Sequence, residues 1–345
     1  MSLAVVIHAP HDLRVEEFAT PALGPTDVEV RIGAGGICGS DLHYYHDGGF
    51  GTVRLKQPMV LGHEIAGTVA EVGSGVTTVR VGDKVAVNPG RACDHCRYCR
   101  EGHPNQCLDM RFYGSAMRNP HVHGGFRQRL VADEAQCFAV PDDLPLEHAA
   151  FAEPLAVCLH AVDRAGPLLG QRVLVTGAGP IGMLTLMAAR MAGAAEVVVT
   201  DVADQPLAIA RKVGADRAVN VAADPDALAA DQAEKGSFDV AFEASGNPAA
   251  LRQAIACVRP RGRIILIGVG GDAALPLNVI VAKEIDLRGT FRFDREFGWA
   301  VRAIAERRLD PAPLLTEIIP IRDAANAFEL ASDRSRAMKV QLSFA

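Results

Sequence analysis

The sequence predicts an α/β protein in two parts, a β-rich region followed by a doubly wound parallel sheet. From residue 1 to about 150, short apolar runs with alternating β-branched residues are separated by glycine and proline, as in strands joined by turns. From about 155 to 290, apolar strands alternate with stretches of helical periodicity, the pattern of parallel strands with crossover helices. A length of 345 residues is sufficient for about two domains.

The individual strands and helices are predicted from these two sequence patterns. The clearest strands of the β-rich region are predicted at 28–32, 67–72 and 84–87. Strands of the parallel sheet are predicted at 172–176, 196–201, 217–221, 238–243, 263–268 and 284–289. Helices are predicted at 180–192, 205–213, 297–307 and, on the surface, in the alanine-rich stretch 222–235. Two short strands, 318–320 and 339–342, are predicted near the end of the chain.

Charge and hydropathy exclude several classes of function. The chain has 35 Lys and Arg against 41 Asp and Glu, a net charge of −6, so we expect no nucleic-acid partner. No apolar run approaches the roughly 18 residues of a membrane span, so we expect no membrane insertion. The first ten residues lack a basic segment and a cleavage site, so we expect no signal peptide and a cytoplasmic location.

Four of the eight cysteines lie close together in the sequence. Their spacing is Cys93-x2-Cys96-x2-Cys99-x7-Cys107, which is typical of a closed, tetrahedral, structural zinc site. The alternatives are reduced cysteines in a loop and a zinc finger that binds nucleic acid. A zinc finger of that kind needs a recognition helix and a basic face, and the sequence offers neither.

A glycine-rich loop follows the first strand of the parallel sheet. The loop has the form G-x-G-x-x-G, in which Gly177 allows a tight turn, Gly179 allows close approach of a pyrophosphate and Gly182 allows the helix to pack on the sheet. The other predicted contacts in the loop are Pro180 and Ile181, at the positive end of the helix. Asp201 ends the second strand, where a carboxylate accepts ribose hydroxyls of NAD and repels the 2′-phosphate of NADP. We therefore expect NAD rather than NADP.

A second set of candidate metal ligands is spread along the chain. Cys38, His63 and Glu64 lie in glycine-containing turns, and Glu153 lies in an otherwise apolar stretch. An unpaired buried carboxylate is costly, and a cation would remove that cost. Cysteine, histidine and carboxylate with one position left for water make a catalytic zinc set, so we expect two Zn²⁺ ions per chain.

These motifs, in this order, resemble those of the zinc-dependent medium-chain dehydrogenase/reductase family. The resemblance rests on 38–41, 62–64, 82–85, the four-cysteine stretch and the glycine loop, and it spans essentially the whole chain. It implies a GroES-like β-barrel catalytic domain formed by residues 1–154 and 290–345. It also implies a Rossmann NAD-binding domain formed by residues 155–289.

Glutamate at position 153 resembles the polyol, or sorbitol-type, branch of this family. The stretches 43–45, 109–117 and 289–293 are similar to those of dehydrogenases that interconvert L-idonate and 5-keto-D-gluconate. The resemblance implies hydride transfer between NAD and a secondary hydroxyl of a small sugar acid or polyol. The alternative substrates are sorbitol, xylitol, galactitol and vicinal diols, and a zinc-free NADPH reductase is the alternative of a different class.

The resemblance also assigns roles to individual residues. Cys38 and His63 would bind the catalytic zinc, and Glu64 and Glu153 would complete its site, with the direct ligand of the two left open. Adjacent side chains of a regular strand point apart, so a shared ion would require a bend at His63 and Glu64.

The remaining roles concern the proton and the substrate. Ser40 would accept the substrate's hydroxyl proton and pass it towards His43, while Tyr44, Phe112 and Arg292 would contact the substrate. The guanidinium of Arg292 could pair with a sugar-acid carboxylate. Edge strands near 284–289 would pair across a two-fold axis, so a homodimer or a homotetramer is expected.

Overall fold

The computed structural model describes residues 2–344 and groups them into two compact units. The first unit runs up to Glu153 and resumes at Phe297, and the second unit is Pro154–Glu296. The strands follow in chain order: β1 (Ser2–Ala9), β2 (Asp12–Phe18), β3 (Asp27–Gly36), β4 (Gly49–Phe50), β5 (Val53–Arg54), β6 (Met59–Val60), β7 (Glu64–Val72), β8 (Lys84–Val87), β9 (Gly90–Arg91), β10 (Arg111–Phe112), β11 (Arg129–Asp133), β12 (Cys137–Val140), β13 (Arg172–Thr176), β14 (Glu196–Asp201), β15 (Arg217–Asn220), β16 (Phe238–Glu243), β17 (Val258–Leu266), β18 (Asp286–Gly289), β19 (Leu315–Pro320) and β20 (Lys339–Ser343).

The helices have between four and 14 residues, and several span a single turn. They follow in chain order: α1 (Gly39–Asp47), α2 (Arg97–Arg100), α3 (Leu146–Ala149), α4 (Ala152–Ala165), α5 (Pro180–Met191), α6 (Asp204–Lys212), α7 (Ala229–Gln232), α8 (Pro248–Cys257), α9 (Leu277–Lys283), α10 (Glu296–Ala305) and α11 (Ala324–Ser332). Among residues 2–344, no helix has both the length and the hydropathy needed to cross a bilayer.

The first unit is built around one curved sheet of order β12-β8-β7-β3-β20-β19, with β11 also paired to β3. Register shifts between β3 and β7 interrupt the ladder at Glu29/Val30 and Ile32/Ala34. Such bulges bend and twist a strand, which lets the sheet wrap around an interior. The interior holds fully buried apolar side chains such as Val30, Ile65 and Phe126. The prediction of a β-barrel domain of this type is confirmed.

The second unit is a six-stranded parallel sheet of order β15-β14-β13-β16-β17-β18. Its central strands are apolar on both faces, and Val173, Leu174 and Val175 of β13 are 0% exposed, as helices on both sides require. The strand order reverses direction at β13 and β16, which is the topological switch point of a doubly wound sheet. This fold prediction is also confirmed.

The structure differs from the prediction in one surface stretch and contains several helices that were not predicted, among them α1. The alanine-rich stretch 222–235 forms only the one-turn helix α7, with turns before it and a 3₁₀ turn after it. The side chain of Asn220 accepts the amides of Ala222 and Ala223 and so ends β15 in a turn. Helix α1 was not predicted, because its Gly39–Asp47 sequence is polar on several faces and lacks a clear apolar stripe.

Candidate functional site

The four cysteines of 93–107 converge in the first unit. Their Sγ atoms all lie within 4.8 Å of one another, and Cys96 Sγ is 3.5 Å from Cys99 Sγ. Backbone amides point at the sulfurs, with Cys93 N 3.2 Å from Cys107 Sγ and Asp109 N 3.3 Å from the same atom. Amide donors from Cys99 and Leu108 lower the pKa of the Cys96 thiol to about 6. Four converging thiols with amide support fit a tetrahedral zinc ion.

Cys38 is placed by the start of helix α1. It is the N-cap residue, and its amide donates to Asp41 Oδ2 at 3.0 Å in a capping box. Asp41 is 0% exposed, and its other oxygen accepts the amide of Gly62 at 3.2 Å. One buried carboxylate therefore ties the segment of Cys38 to the turn that carries the next two candidate ligands.

His63 and Glu64 lie where the chain turns into strand β7. Gly62 has φ +92° and His63 precedes the first residue of the strand, so the two side chains are free of the alternation that a regular strand imposes. The bend that the sequence required is present. One ligand atom from each of Cys38, His63 and Glu64 lies within 4.8 Å of the others.

Lys339 of strand β20 forms an ion pair with Glu64 inside the unit. Its Nζ also donates to the carbonyl of Ile37 at 2.9 Å, and its side chain is 4% exposed. A Cβ atom on Gly36 would lie 2.1 Å from Glu64 Oε2 and 3.0 Å from Lys339 Cε. Glycine is therefore required at position 36 because the buried ion pair occupies the space of a side chain.

Burial shapes the chemistry of this set of residues. Burial raises the pKa of the Cys38 thiol to about 12, and the nearby carboxylate of Glu64 adds to the effect. Burial also raises the pKa of Glu153 to about 8, although His63 opposes the shift. Glu153 is 5% exposed and lies outside the group of three mutually close ligand atoms.

The donor chemistry of the set fits zinc. His63 Nδ1 is buried without a hydrogen-bond partner among residues 2–344, and its nearest acidic atom is Asp41 Oδ1 at 3.7 Å. Thiol, imidazole and carboxylate donors are those of a catalytic zinc site. A divalent cation would also favour the deprotonated forms of Cys38 and Glu153, which burial opposes.

The predicted proton-relay and substrate residues of the first unit are placed around α1 and β10. Ser40 and His43 lie on α1, and the side chain of His43 is 51% exposed, with Nδ1 3.4 Å from Asp47 Oδ2. Tyr44 is 1% exposed in the core, where its hydroxyl accepts the amide of Ala116 at 2.9 Å. The ring of Phe112 lies 5.6 Å from that of His63, so Phe112 borders the ligand set.

The glycine loop of the second unit has the geometry of an anion cradle. Gly177 has φ +90°, and a Cβ on Gly182 would lie 1.8 Å from Gly177 O, so both positions require glycine. A Cβ on Gly179 would meet nothing within 4 Å, which leaves open space beside the loop. The hydrogen-bond ladder of α5 begins with Met183 N, so the amide of Ile181 precedes it and can serve an anion.

Asp201 faces this loop from the end of strand β14. Its Oδ2 accepts the amide of Ala178 at 2.7 Å, and its Oδ1 accepts those of Val202 and Ala203 at 2.7 and 3.1 Å. A carboxylate offers about four acceptor positions, so capacity remains for a ribose hydroxyl. The open cradle, the helix start and this carboxylate together fit a dinucleotide.

Arg292, also in the second unit, has an unusual backbone. Its φ is +54°, a left-handed conformation that is uncommon for a residue other than glycine. Its guanidinium lies 4.9 Å from the ring centre of Phe291, in cation–π contact.

Three site residues escaped the sequence reasoning. Asp41 could have been found, since an acid three positions after the N-cap is the mark of a capping box. The burial of Lys339 could not be predicted from the sequence, because a single lysine in a short strand is usually on the surface. Glu243 ends a buried strand beside the glycine loop, and a glutamate in that position has no local pattern that distinguishes it from any other strand end.

Comparison with known proteins agrees with this geometry. The model of the alcohol dehydrogenase GroES-like domain matches residues 24–142, and the model of the zinc-binding dehydrogenase family matches residues 180–306. The L-idonate 5-dehydrogenase (NAD(P)(+)) of Escherichia coli strain K12 is 45% identical over 316 residues, which cover 91% of each chain. Human sorbitol dehydrogenase is 37% identical over 333 residues, which cover 95% of this chain and 92% of the relative.

A solved structure gives the same result at the level of the fold. The crystal structure of L-idonate 5-dehydrogenase from Escherichia coli K-12 superposes with a TM-score of 0.96 at 42% identity. The match covers 99% of this chain and 98% of that chain.

Proposed function

The chain belongs to the zinc-binding dehydrogenase family with a GroES-like domain, and on this basis we propose that it oxidises L-idonate to 5-keto-D-gluconate with NAD. The observation that carries the proposal is the group formed by the half-buried Cys38 and the buried His63 and Glu64, whose ligand atoms lie within 4.8 Å of one another. Packing alone does not account for this group at the amino-terminal end of α1, because His63 and Glu64 are polar and costly to bury.

Zinc would be held directly by Cys38, His63 and Glu64, and Glu153 would complete the site from its own buried position. When bound, zinc supplies a Lewis acid that lowers the pKa of a substrate hydroxyl. Lys339 offsets the negative charge of Glu64, so the negative charges of the carboxylates and the thiolate do not exceed the positive charges at the site. A second zinc would be held by the four cysteines of 93–107, with a structural role.

Ser40 and His43 would move the proton that the substrate releases. Ser40 Oγ would accept the hydroxyl proton as its own hydroxyl proton leaves towards His43, which would release a proton to solvent. Two facts support this assignment: both residues lie on α1, which begins directly after Cys38, and the side chain of His43 is 51% exposed. An imidazole can both accept and donate a proton, as such a transfer requires.

NAD would be held by Gly177, Gly179 and the start of α5, including Pro180, Ile181 and Gly182, with Asp201 on the adenosine ribose. A bound nicotinamide ring supplies the hydride acceptor. The carboxylate of Asp201 would repel a 2′-phosphate, and this supports NAD over NADP. The name of the bacterial relative covers both coenzymes, so parallel assays decide the strictness of the preference.

The preference for a sugar acid would come from Arg292. The backbone of Arg292 is in a left-handed conformation, and its guanidinium lies against the ring of Phe291. A planar guanidinium pairs best with a carboxylate, such as that of a sugar acid. Phe112, which borders His63, would offer an apolar contact to the substrate, whereas Tyr44 would support α1 from the core. The second candidate is a neutral polyol such as sorbitol, which the relation to sorbitol dehydrogenases favours.

Steady-state NADH formation with a substrate panel tests the proposal. L-idonate should give the highest kcat/KM against sorbitol, xylitol, galactitol and butanediol, and NAD should exceed NADP. Arg292→Ala should lower kcat/KM for L-idonate about 100-fold and for xylitol less than about fivefold, because only the acid loses a charge-assisted pair. Arg295→Ala is the matched control, since Arg295 lies three positions further along the chain, is exposed and pairs with Asp163 at 3.4 Å. A highest kcat/KM on a neutral polyol would reject L-idonate as the substrate.

A second copy of the chain would cover the edge of the parallel sheet. Strand β18 is the last strand of that sheet, and Leu277, Val281 and Leu287 nearby are 67%, 75% and 36% exposed. Two such edges can pair around a two-fold axis, which satisfies their backbone groups and buries the apolar side chains. Sedimentation equilibrium should give the mass of a dimer or a tetramer, and a monomer at micromolar concentration would contradict the assignment.

The domain limits and the compartment complete the proposal. We assign residues 1–154 with 290–345 to the catalytic domain and 155–289 to the NAD domain. A cytoplasmic location is supported by the eight cysteines, all of which are free thiols, because a reducing compartment keeps thiols available for zinc.

A further inference from the structure

Glu243 is a buried carboxylate beside the glycine loop that the proposed mechanism does not use. It is the last residue of β16, at the centre of the parallel sheet, and it is 3% exposed. In the ladder it lies opposite Thr176, the residue directly before Gly177. Its place at the switch point of the sheet puts it under the loops where a dinucleotide binds.

The carboxylate of Glu243 organises the turn that follows it. Oε1 accepts the amide of Ser245 at 2.8 Å and also the hydroxyl of Ser245. The amide of Gly246 lies 3.1 Å from each of the two oxygens. The hydroxyl of Thr176 lies 3.4 Å from Oε1. The side chain thus joins the end of β13 to the turn at 244–246.

The main chain of Glu243 extends this connection to a third loop. Its carbonyl accepts the amides of Ile267 and Gly268, at 2.8 and 2.9 Å, directly after strand β17. One residue therefore contacts the ends of three neighbouring strands, β13, β16 and β17. These ends form the edge of the sheet that carries the glycine loop.

No positive side chain balances this carboxylate. Within residues 2–344, no lysine, arginine or histidine forms an ion pair with Glu243. A buried carboxylate without a counter-charge is costly unless several N–H or O–H donors hold it. The donors here come almost entirely from the turn, so the carboxylate and the turn hold each other in place.

The turn is packed tightly against its neighbours on both sides. A Cβ on Gly177 would lie 2.9 Å from the amide nitrogen of Ser245, and one on Gly268 would lie 2.1 Å from that of Gly246. A Cβ on Gly270 would lie 2.4 Å from Gly246 O. These positions have no room for a side chain, so the backbone of the turn packs directly against the backbone of Gly177, and a displaced turn would disturb Gly177.

We propose that Glu243 is a positioning residue for coenzyme binding, which holds the glycine loop through the turn at 244–246. The inference rests on the proposed function, since it concerns the coenzyme that the loop would bind. Glu243 does not act on the phosphates itself, because its oxygens accept the donors of the turn. It acts by fixing the backbone against which Gly177 makes its turn.

Glu243→Gln tests this role with almost no change of shape. The amide keeps its oxygen at the Oε1 position and places an NH₂ group at the Oε2 position, where it faces the amide of Gly246, so donor faces donor. We expect the Kd for NADH, measured by fluorescence titration, to rise about tenfold, with a similar rise for ADP-ribose. The KM for NAD should rise while the KM for the polyol substrate and the zinc content stay at the wild-type values. Glu234→Gln, an exposed glutamate in the same unit, is the matched control.

Hydrogen exchange without nucleotide separates this inference from the proposed function. The amides of Ser245, Gly246 and Gly177 should exchange at least about tenfold faster in Glu243→Gln than in the wild type. If the wild type binds no NADH, the assignment of the coenzyme fails, and the exchange data still decide whether Glu243 holds the loop. Unchanged NADH affinity together with unchanged exchange would overturn the inference.

A milder variant covers the case in which Glu243→Gln does not fold. Ser245→Ala removes one hydroxyl donor to the carboxylate and leaves the backbone donors in place. It should weaken NADH binding about threefold and accelerate exchange at Gly246. Wild-type binding and exchange in Ser245→Ala would then count against the proposal.

Discussion

The two candidate metal sites of the first unit are built in opposite ways. The four-cysteine site draws all its ligands from residues 93–107, and its cysteines are partly exposed. The buried site draws Cys38 from the start of α1, His63 and Glu64 from the start of β7, and Lys339 from a strand near the end of the chain. The first site depends on local spacing, whereas the second exists only when the sheet has formed.

This difference indicates different roles. A site closed by four cysteines has no position left for a substrate, and its binding energy contributes to folding. A site of three mixed ligands leaves a position open, and its buried charges must be balanced by the fold. The following variants test whether the two sites have these different roles.

The largest effect is expected from Cys38→Ser. Loss of the thiolate should lower kcat/KM at least about 1,000-fold and remove one of two zinc ions, because the metal is bound and tuned by this ligand. Activity assays and elemental analysis measure the two effects. Cys137→Ser, at a buried cysteine outside both sites, should keep both ions and most of the activity. A fully active Cys38→Ser enzyme would remove the catalytic role from the buried site.

Lys339→Met should destabilise the zinc-free protein by about 3–5 kcal/mol, because it leaves Glu64 as an uncompensated buried charge. Chemical denaturation in the presence of a chelator measures the loss. The double variant Lys339→Met with Glu64→Gln should recover part of it, since the unpaired charge is then removed. Strictly additive losses would contradict a direct coupling between the two side chains.

Cys96→Ser should affect stability more than catalysis. Loss of the zinc from the four-cysteine site is expected to lower the Tm by about 5–10 °C, while kcat of the folded enzyme stays within about threefold of the wild type. Calorimetry and activity below the transition measure the two quantities. If activity fell as far as in Cys38→Ser with no change in Tm, the roles of the two sites would have to be exchanged.

The smallest effect separates the two glutamates of the buried site. Glu64→Gln should weaken zinc binding about 10–100-fold, because Glu64 lies in the group of mutually close ligand atoms. Glu153→Gln, outside that group, should weaken it less than about tenfold. Competition with a chromogenic chelator gives both affinities. The reverse order would make Glu153 the direct ligand.

The sequence was informative where the chemistry is local. The spacing of the cysteines and the order strand, glycine loop, helix each lie within about 20 residues, so the residue types and their neighbours were enough. The parallel sheet could be predicted because its strands are apolar on both faces and alternate with helices. In these regions the prediction and the structure agree.

Contacts between distant parts of the chain could not be predicted. The pairing of Lys339 with Glu64 depends on the register of β20 and β7 against β3, which no local pattern encodes. The role of Gly36 has the same origin, since its missing side chain makes room for that ion pair. The alanine-rich stretch 222–235 failed as a helix for the opposite reason, because a single side chain, Asn220, redirects the backbone.

Stepwise removal of metal tests the central claim most directly, namely that the local site is structural and the buried site catalytic. The purified enzyme should contain two zinc ions per chain, and a graded chelator treatment should remove one of them before the other. Activity should fall in proportion to the first ion lost while the fold, followed by circular dichroism, is retained, and added zinc should restore it. Full activity in a protein that retains only the four-cysteine zinc would contradict the account.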